Sequence, residues 1–152
     1  MTSSIAAETP MQTVDIQKII EIAAPIEIAF EAMLEELGPE AQLQDGSSYP
    51  FKLEPWPGGR WYRDLGDNTG HLWGHVQVIK PPKLLEICGP LMMSYPAMNH
   101  VQYRFTSEGN GTKLAFVHRG IGLISEQLRE GMPGGWASWA DRIRQRAERQ
   151  AK

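Results

Sequence analysis

The sequence predicts an α+β domain in which a curved antiparallel sheet of six to seven strands wraps around a long C-terminal helix. Two patterns carry that expectation. Between residues 51 and 118, short aromatic and β-branched runs are separated by Pro-Gly-Gly (57–59), Gly-Asp-Asn (66–68), Pro-Pro (81–82), Gly-Pro (89–90) and Glu-Gly-Asn-Gly (108–111). That is the punctuation of a meander. On either side of this block, apolar residues recur at helical spacing instead. Strands bracketed by helices make an α+β domain. Two or three helices cannot cover both faces of so many strands, so the sheet must curl around the last helix and leave its other face to water or a partner.

Residues 1–13 are small and polar with Pro10, and read as a flexible N-terminus ahead of a single domain at 14–150. Residues 14–22 alternate as a strand, with Val14, Ile16, Ile20 and Ile22 on one parity and Lys18 breaking the pattern. Ala24-Pro25 opens a helix, because Pro is tolerated at its start and the acids Glu27 and Glu31 suit its positive end. Phe30, Met33, Leu34 and Leu37 give it one apolar face, and Gly38-Pro39 stops it. Residues 39–50 read as a loop with room for one helical turn. Strands are expected near 51–54, 60–65, 71–79, 84–88, 99–106 and 112–118, the last two joined by Gly-Asn-Gly as a hairpin. A short turn at 125–130 should end at Gly131-Met132-Pro133-Gly134-Gly135, after which Trp136, Trp139, Ala140, Ile143 and Ala147 form one face of a helix.

Composition narrows the function. The net charge of −3 argues against a dedicated nucleic-acid binder. No apolar run is long enough to span a membrane, and the first residues have neither the basic nor the apolar region of a secretory signal. The lone Cys88 forms no internal disulfide and suits a reducing, cytoplasmic setting. Arg142, Arg144, Arg146, Arg149 and Lys152 make the C-terminal stretch locally basic, which reads as a solvated helix end whose cations meet the negative pole of the macrodipole.

A set of short motifs carries a resemblance. Ile22-Ala23-Ala24-Pro25-Ile26-Glu27 followed by Phe30, Pro57-Gly58-Gly59-Arg60-Trp61, Gly74-x-Val76, Pro81-Pro82-Lys83-Leu84-Leu85, Gly111-Thr112-x-Leu114, His118-x-Gly120 and Gly135-Trp136 stand in the order seen in START-like domains. Over roughly residues 14–150 the chain resembles the SRPBCC superfamily, specifically the branch named after the activator of heat-shock-protein-90 ATPase. The resemblance implies the helix-grip fold, with a cavity between sheet and C-terminal helix that takes a small hydrophobic or aromatic molecule without a cofactor. It also brings two alternatives: a polyketide-cyclase-like enzyme, and a chaperone-associated interaction module. Two positions depart from the pattern: Phe30 replaces a frequent tryptophan, and Pro133-Gly134-Gly135 interrupts a helix that relatives continue.

Candidate ligand-binding residues are Trp61, Trp73, His75, Tyr103, Phe105, His118, Trp136 and Trp139, because aromatic rings with a few polar tips suit an apolar pocket. His118 shares parity with Leu114 and Phe116 and should point inward, where it would either meet a ligand as an acid–base group, helped by Tyr103 or His75, or be satisfied by neighbouring protein groups. Residues 71–79 admit two registers. One turns Leu72, Val76 and Val78 inward and leaves Trp73 on an outer, dimer-forming face; the other turns Trp73, His75, Gln77 and Ile79 into the cavity. The second is the expectation, and a homodimer on the sheet's outer face is the consequence of the first. The segment 91–96, with Met92 and Met93, suits an adaptable lip. His71 and His75 lie about 13 Å apart along a strand, too far to share a metal. Cys88 sits in an apolar strand as packing, and neither a nucleophile elbow nor a phosphate loop is present.

Overall fold

The computed structural model describes residues 10–152, so the expected flexible residues 1–9 lie outside the described part. The meander becomes one seven-stranded antiparallel sheet: β1 (Met11–Ile22), β2 (Lys52–Leu53), β3 (Arg60–Gly66), β4 (Thr69–Lys80), β5 (Leu84–Gly89), β6 (Ala97–Glu108) and β7 (Gly111–Leu123). Their spatial order is β1-β7-β6-β5-β4-β3-β2. Every expected strand is present, and most run longer than their alternation suggested, since pairing continues past the last apolar residue. β1 is the clearest case: Met11–Thr13, expected to be flexible, pair with Ile121–Leu123.

Turn chemistry fixes the hairpins. Asp67 and Asn68 both take positive φ, as the two central residues of a tight hairpin turn require, and Gly66 pairs with Thr69 across it. Glu108 pairs with Gly111 around Gly109-Asn110. At Gly58-Gly59, the first glycine has φ +82°, and a Cβ on the second would run into the carbonyl oxygen of Glu54. Lys18, which broke the alternation of β1, takes an inner-face position on an edge strand opposite Phe116. A charge there discourages another chain from extending the sheet.

Helix α1 (Ile26–Leu37) buries Ala29, Phe30, Ala32, Met33 and Leu37 and ends at Gly38, as expected. The segment after it forms no helical turn. It folds back as a small lobe closed by a Gln42–Ser48 bridge, in which the Asp45 carboxylate accepts from the Ser47 N–H at 2.8 Å.

The C-terminal helix departs from expectation. Glu126–Gln150 is a single helix, α2, with Pro133 inside it. Ser125 caps its start, its hydroxyl accepting from the Leu128 N–H at 3.2 Å. Gly and Pro in a helix interior are locally unfavourable, yet Met132, Trp136, Trp139, Ala140, Ile143 and Ala147 all bury along one face. Packing of that face outweighs the propensity of the Gly-Pro stretch.

Candidate functional site

Where the first half of α2 passes over the sheet, the core opens into a cavity of about 540 Å³. Its walls are Trp136, Trp139, Leu128 and Met132 from α2, Trp73 from β4, Met92 from the β5–β6 loop, and Tyr49 with the 42–45 lobe as a rim. Arg142 fixes that rim by donating to the carbonyls of Gln42 and Leu43. Gly131 and Gly135 also line it, so the residues that looked like a helix break are those that keep the helix flank low beside the opening. A long loop directly after a helix was the one sequence signal for the rim. Its part in a site was not foreseen.

Behind the cavity the aromatic side chains pack against one another. The Trp73 ring lies 4.7 Å from Phe51, 5.2 Å from Trp61 and 6.2 Å from Trp139, each near perpendicular. Trp136 and Trp139 stack at 5.7 Å with their planes 17° apart. Edge-to-face and offset stacks of this kind are favourable beyond simple burial.

The indole N–H groups hold the frame. Trp61 donates to the Leu37 carbonyl and Trp139 to the Glu36 carbonyl, both at 2.6 Å. Those are last-turn carbonyls of α1 without helical partners, so two tryptophans from distant elements close the end of that helix. Trp136 donates to Nδ1 of His118 at 2.9 Å. An indole nitrogen only donates, so His118 carries its proton on Nε2 and gives it to Oδ1 of Asn99 at 2.8 Å. Asn99 in turn donates to the Pro90 carbonyl at 3.3 Å. The chain runs from α2 through β7 and β6 to the loop that carries Met92. Gly120, the cross-strand partner of Asn99, makes room for it: a Cβ there would collide with Asn99 Oδ1. That is the physical content of the His118-x-Gly120 motif.

The predicted residues therefore separate. Trp73, Trp136 and Trp139 line the cavity. Trp61 stands behind them, fully buried. Tyr103 packs on Phe116 at 4.9 Å, and burial pushes its hydroxyl far above the ordinary tyrosine range. Phe105 packs edge-on against Phe30 at 5.6 Å. His118 is buried with both ring nitrogens hydrogen-bonded, and desolvation lowers its pKa to about 4. It stays a neutral structural imidazole at neutral pH.

His75 is a correction. It is exposed on the outer face, while Trp73 and Val76 are buried at 5% and 2%. The reason is two register shifts in β4: Trp61 pairs with Gly74 but Tyr62 with Leu72, and Val76 pairs with Ile87 but Val78 with Glu86. Each shift inserts one residue and re-aims the side chains beyond it. Trp73 thus faces inward as the cavity register demands, and Val76 inward as the hydrophobic register demands. Neither single register describes the strand. The outer-face alternative for Trp73 is overturned by the same burial.

The outer face itself is mixed. His100 and Gln102 meet the Glu86 carboxylate at 3.2 and 2.8 Å, while Met98 and Ile121 are exposed beside them. Among the described residues no helix is long and apolar enough to cross a membrane.

Comparison with known proteins accords with this geometry. Comparison with curated proteins finds no match. Solved structures of the same fold include a protein of unknown function, SA2116, from Staphylococcus aureus, with TM-score 0.67 and 12% identity over 92% of this chain and 96% of that one. An uncharacterized protein from Rhizobium leguminosarum gives TM-score 0.63 and 22% identity over 93% and 99% of the two chains. The di-domain ARO/CYC StfQ from the steffimycin biosynthetic pathway gives TM-score 0.66 and 13% identity, over 91% of this chain and 52% of that one. At these identities the likeness is one of fold: an antiparallel sheet gripping a C-terminal helix. The model of the family described as Activator of Hsp90 ATPase homolog 1-like protein matches residues 23–148, and the chain belongs to that family.

Proposed function

We propose that this protein binds a small hydrophobic or aromatic molecule between sheet and C-terminal helix and releases it unchanged. The observation that carries the reading is the cavity of about 540 Å³ walled by Trp73, Trp136, Trp139, Met92, Met132 and Leu128. Its size lies within the range of small-molecule sites, and its lining combines rigid rings with adaptable methionines.

Catalysis by His118 needs a ring nitrogen open to substrate and a pKa near neutrality. The imidazole has neither, so it serves as a structural tie between α2 and the sheet. The likeness to StfQ is one of fold and assigns no reaction. A partner-binding module would need an exposed apolar surface around Trp73, which is instead buried.

Native mass spectrometry of the purified protein, followed by denaturing extraction, tests the reading. A stoichiometric apolar molecule, recovered unaltered after incubation, is the expected result. A protein that is empty and also takes up no apolar fluorophore overturns it.

A further inference from the structure

Three of the five tryptophans, Trp61, Trp136 and Trp139, use their indole N–H groups in hydrogen bonds, and Trp56 is exposed to solvent. Trp73 does neither. It is 5% exposed, it lines the cavity, and its Nε1 is closed to solvent with no hydrogen-bond partner. A buried donor left unpaired costs free energy that an arriving acceptor recovers.

A second orphan stands on the neighbouring strand. Arg63 Nε is likewise buried without a partner, and its guanidinium carbon lies 3.8 Å over the ring of Tyr49, a cavity-lining residue. His71, directly opposite Arg63 in the β3–β4 ladder, has its ring 6.2 Å from that of Trp73. Glu36 Oε1, the remaining buried orphan among the described residues, sits on α1, whose last turn Arg146 grips by an ion pair. The two unpaired donors thus belong to one wall and its flank, whereas α2 supplies the opposite wall with its own indoles already satisfied.

On the reading that this cavity binds an apolar aromatic molecule, we infer that the ligand carries an oxygen acceptor, a carbonyl or phenolic oxygen, on the edge that meets the indole N–H of Trp73. A pure hydrocarbon would fill the volume and leave that donor unpaired. The lining gives such an edge room to seat, because Met92 in the same wall can shift with little cost.

The competing account is an N–H aimed at a neighbouring ring face, since Phe51, Trp61 and Trp139 all stand nearly perpendicular to Trp73. Such a contact is weak and needs no ligand. An isosteric pair of probes separates the two: 2-acetylnaphthalene, with a carbonyl, and 2-isopropenylnaphthalene, with a methylene in its place. Proton–nitrogen correlation spectra of the wild-type protein report each indole N–H, and the signal lost in Trp73→Phe identifies the one in question.

The expected result is a downfield shift of the Trp73 signal with the ketone and none with the hydrocarbon. Trp73→Phe should weaken the ketone about three- to tenfold and the hydrocarbon less than about twofold. If both probes bind, the Trp73 signal is unmoved and the variant weakens them equally, the acceptor inference fails while the cavity reading stands. If neither binds, both fall. The wild-type spectra answer the question even where the variant does not fold.

Discussion

The two halves of α2 do different work with different residues. From Glu126 to about Ser138 the helix carries Gly131, Pro133, Gly134 and Gly135, and its inner side faces the cavity. From Trp139 onward it carries Ala140, Ile143 and Ala147 inward, all buried. Its arginines clamp neighbours: Arg146 meets Glu36 at 2.6 Å and Glu35 at 3.0 Å, while Arg144 meets Asp141 at 2.7 Å and Glu148 at 3.0 Å. The basic stretch therefore does more than lie in solvent. One half of the helix leaves room and the other half holds the domain together, so stability and binding can be changed separately.

Truncation is the strongest way to break that contrast. Ile143 is fully buried in the packed half, and Ile143→Ala should cost about 4 kcal/mol, the upper part of the range for deleting a core aliphatic. Met132→Ala removes as large a side chain, but the space it vacates joins an existing cavity whose wall Met132 already forms. Its cost should be about 1–2 kcal/mol, since little new unfilled volume is created. Urea unfolding at neutral pH measures both. Equal losses would mean that the cavity half is as tightly packed as the rest.

The border between the halves is Trp136, which lines the cavity and also donates to His118. His118 makes that border sensitive to acid. Burial holds its pKa at about 4, below the ordinary 6.5, so the unfolded chain binds the proton more readily than the folded one. The stabilisation is complete above pH 6.5 and is lost as the pH falls through 4. Over that window it amounts to about 3 kcal/mol. His118→Gln keeps hydrogen-bonding capacity without a titrating ring, so it should remove most of this acid loss between pH 7 and pH 4.5. An unchanged loss in the variant would show that carboxylates, not this imidazole, govern the window.

How much of this could be read beforehand depends on how far along the chain each signal acts. Turn residues and alternation placed every strand and α1, because those signals act over a few residues. They misjudged 131–135, where four helix-disfavouring positions are outvoted by an apolar face that becomes meaningful only once the sheet beneath it is present. They also misjudged β4, since each register shift depends on which residues of β3 and β5 stand opposite. In the site, the rings at 73, 136 and 139 were legible as aromatic load. The hydrogen-bond chain through Asn99 was not, because its members lie 18 and 19 residues apart in sequence and only the sheet joins them. Tyr49 and the 42–45 lobe were missed for the same reason: nothing in a polar loop announces which helix it will face.

The smallest test concerns the helix's glycines, and it discriminates between room that is needed and room that is incidental. A Cβ at Gly131 would meet nothing within 4 Å, although the residue lines the cavity. Gly131→Ala should therefore stabilise the domain by about 0.5–1 kcal/mol through helix propensity alone, read as a higher urea midpoint with unchanged slope. At Gly135 a Cβ would come within 3.8 Å of the Gln44 side chain, an ordinary contact that partly fills the gap between helix and rim. Gly135→Ala should gain as much stability from propensity but weaken an aromatic probe relative to Gly131→Ala, because Gly135 lies beside Trp136 on the ligand side. If the two variants bind the probe equally, the glycines do not keep the cavity open at this rim, and its volume is set by the tryptophans alone.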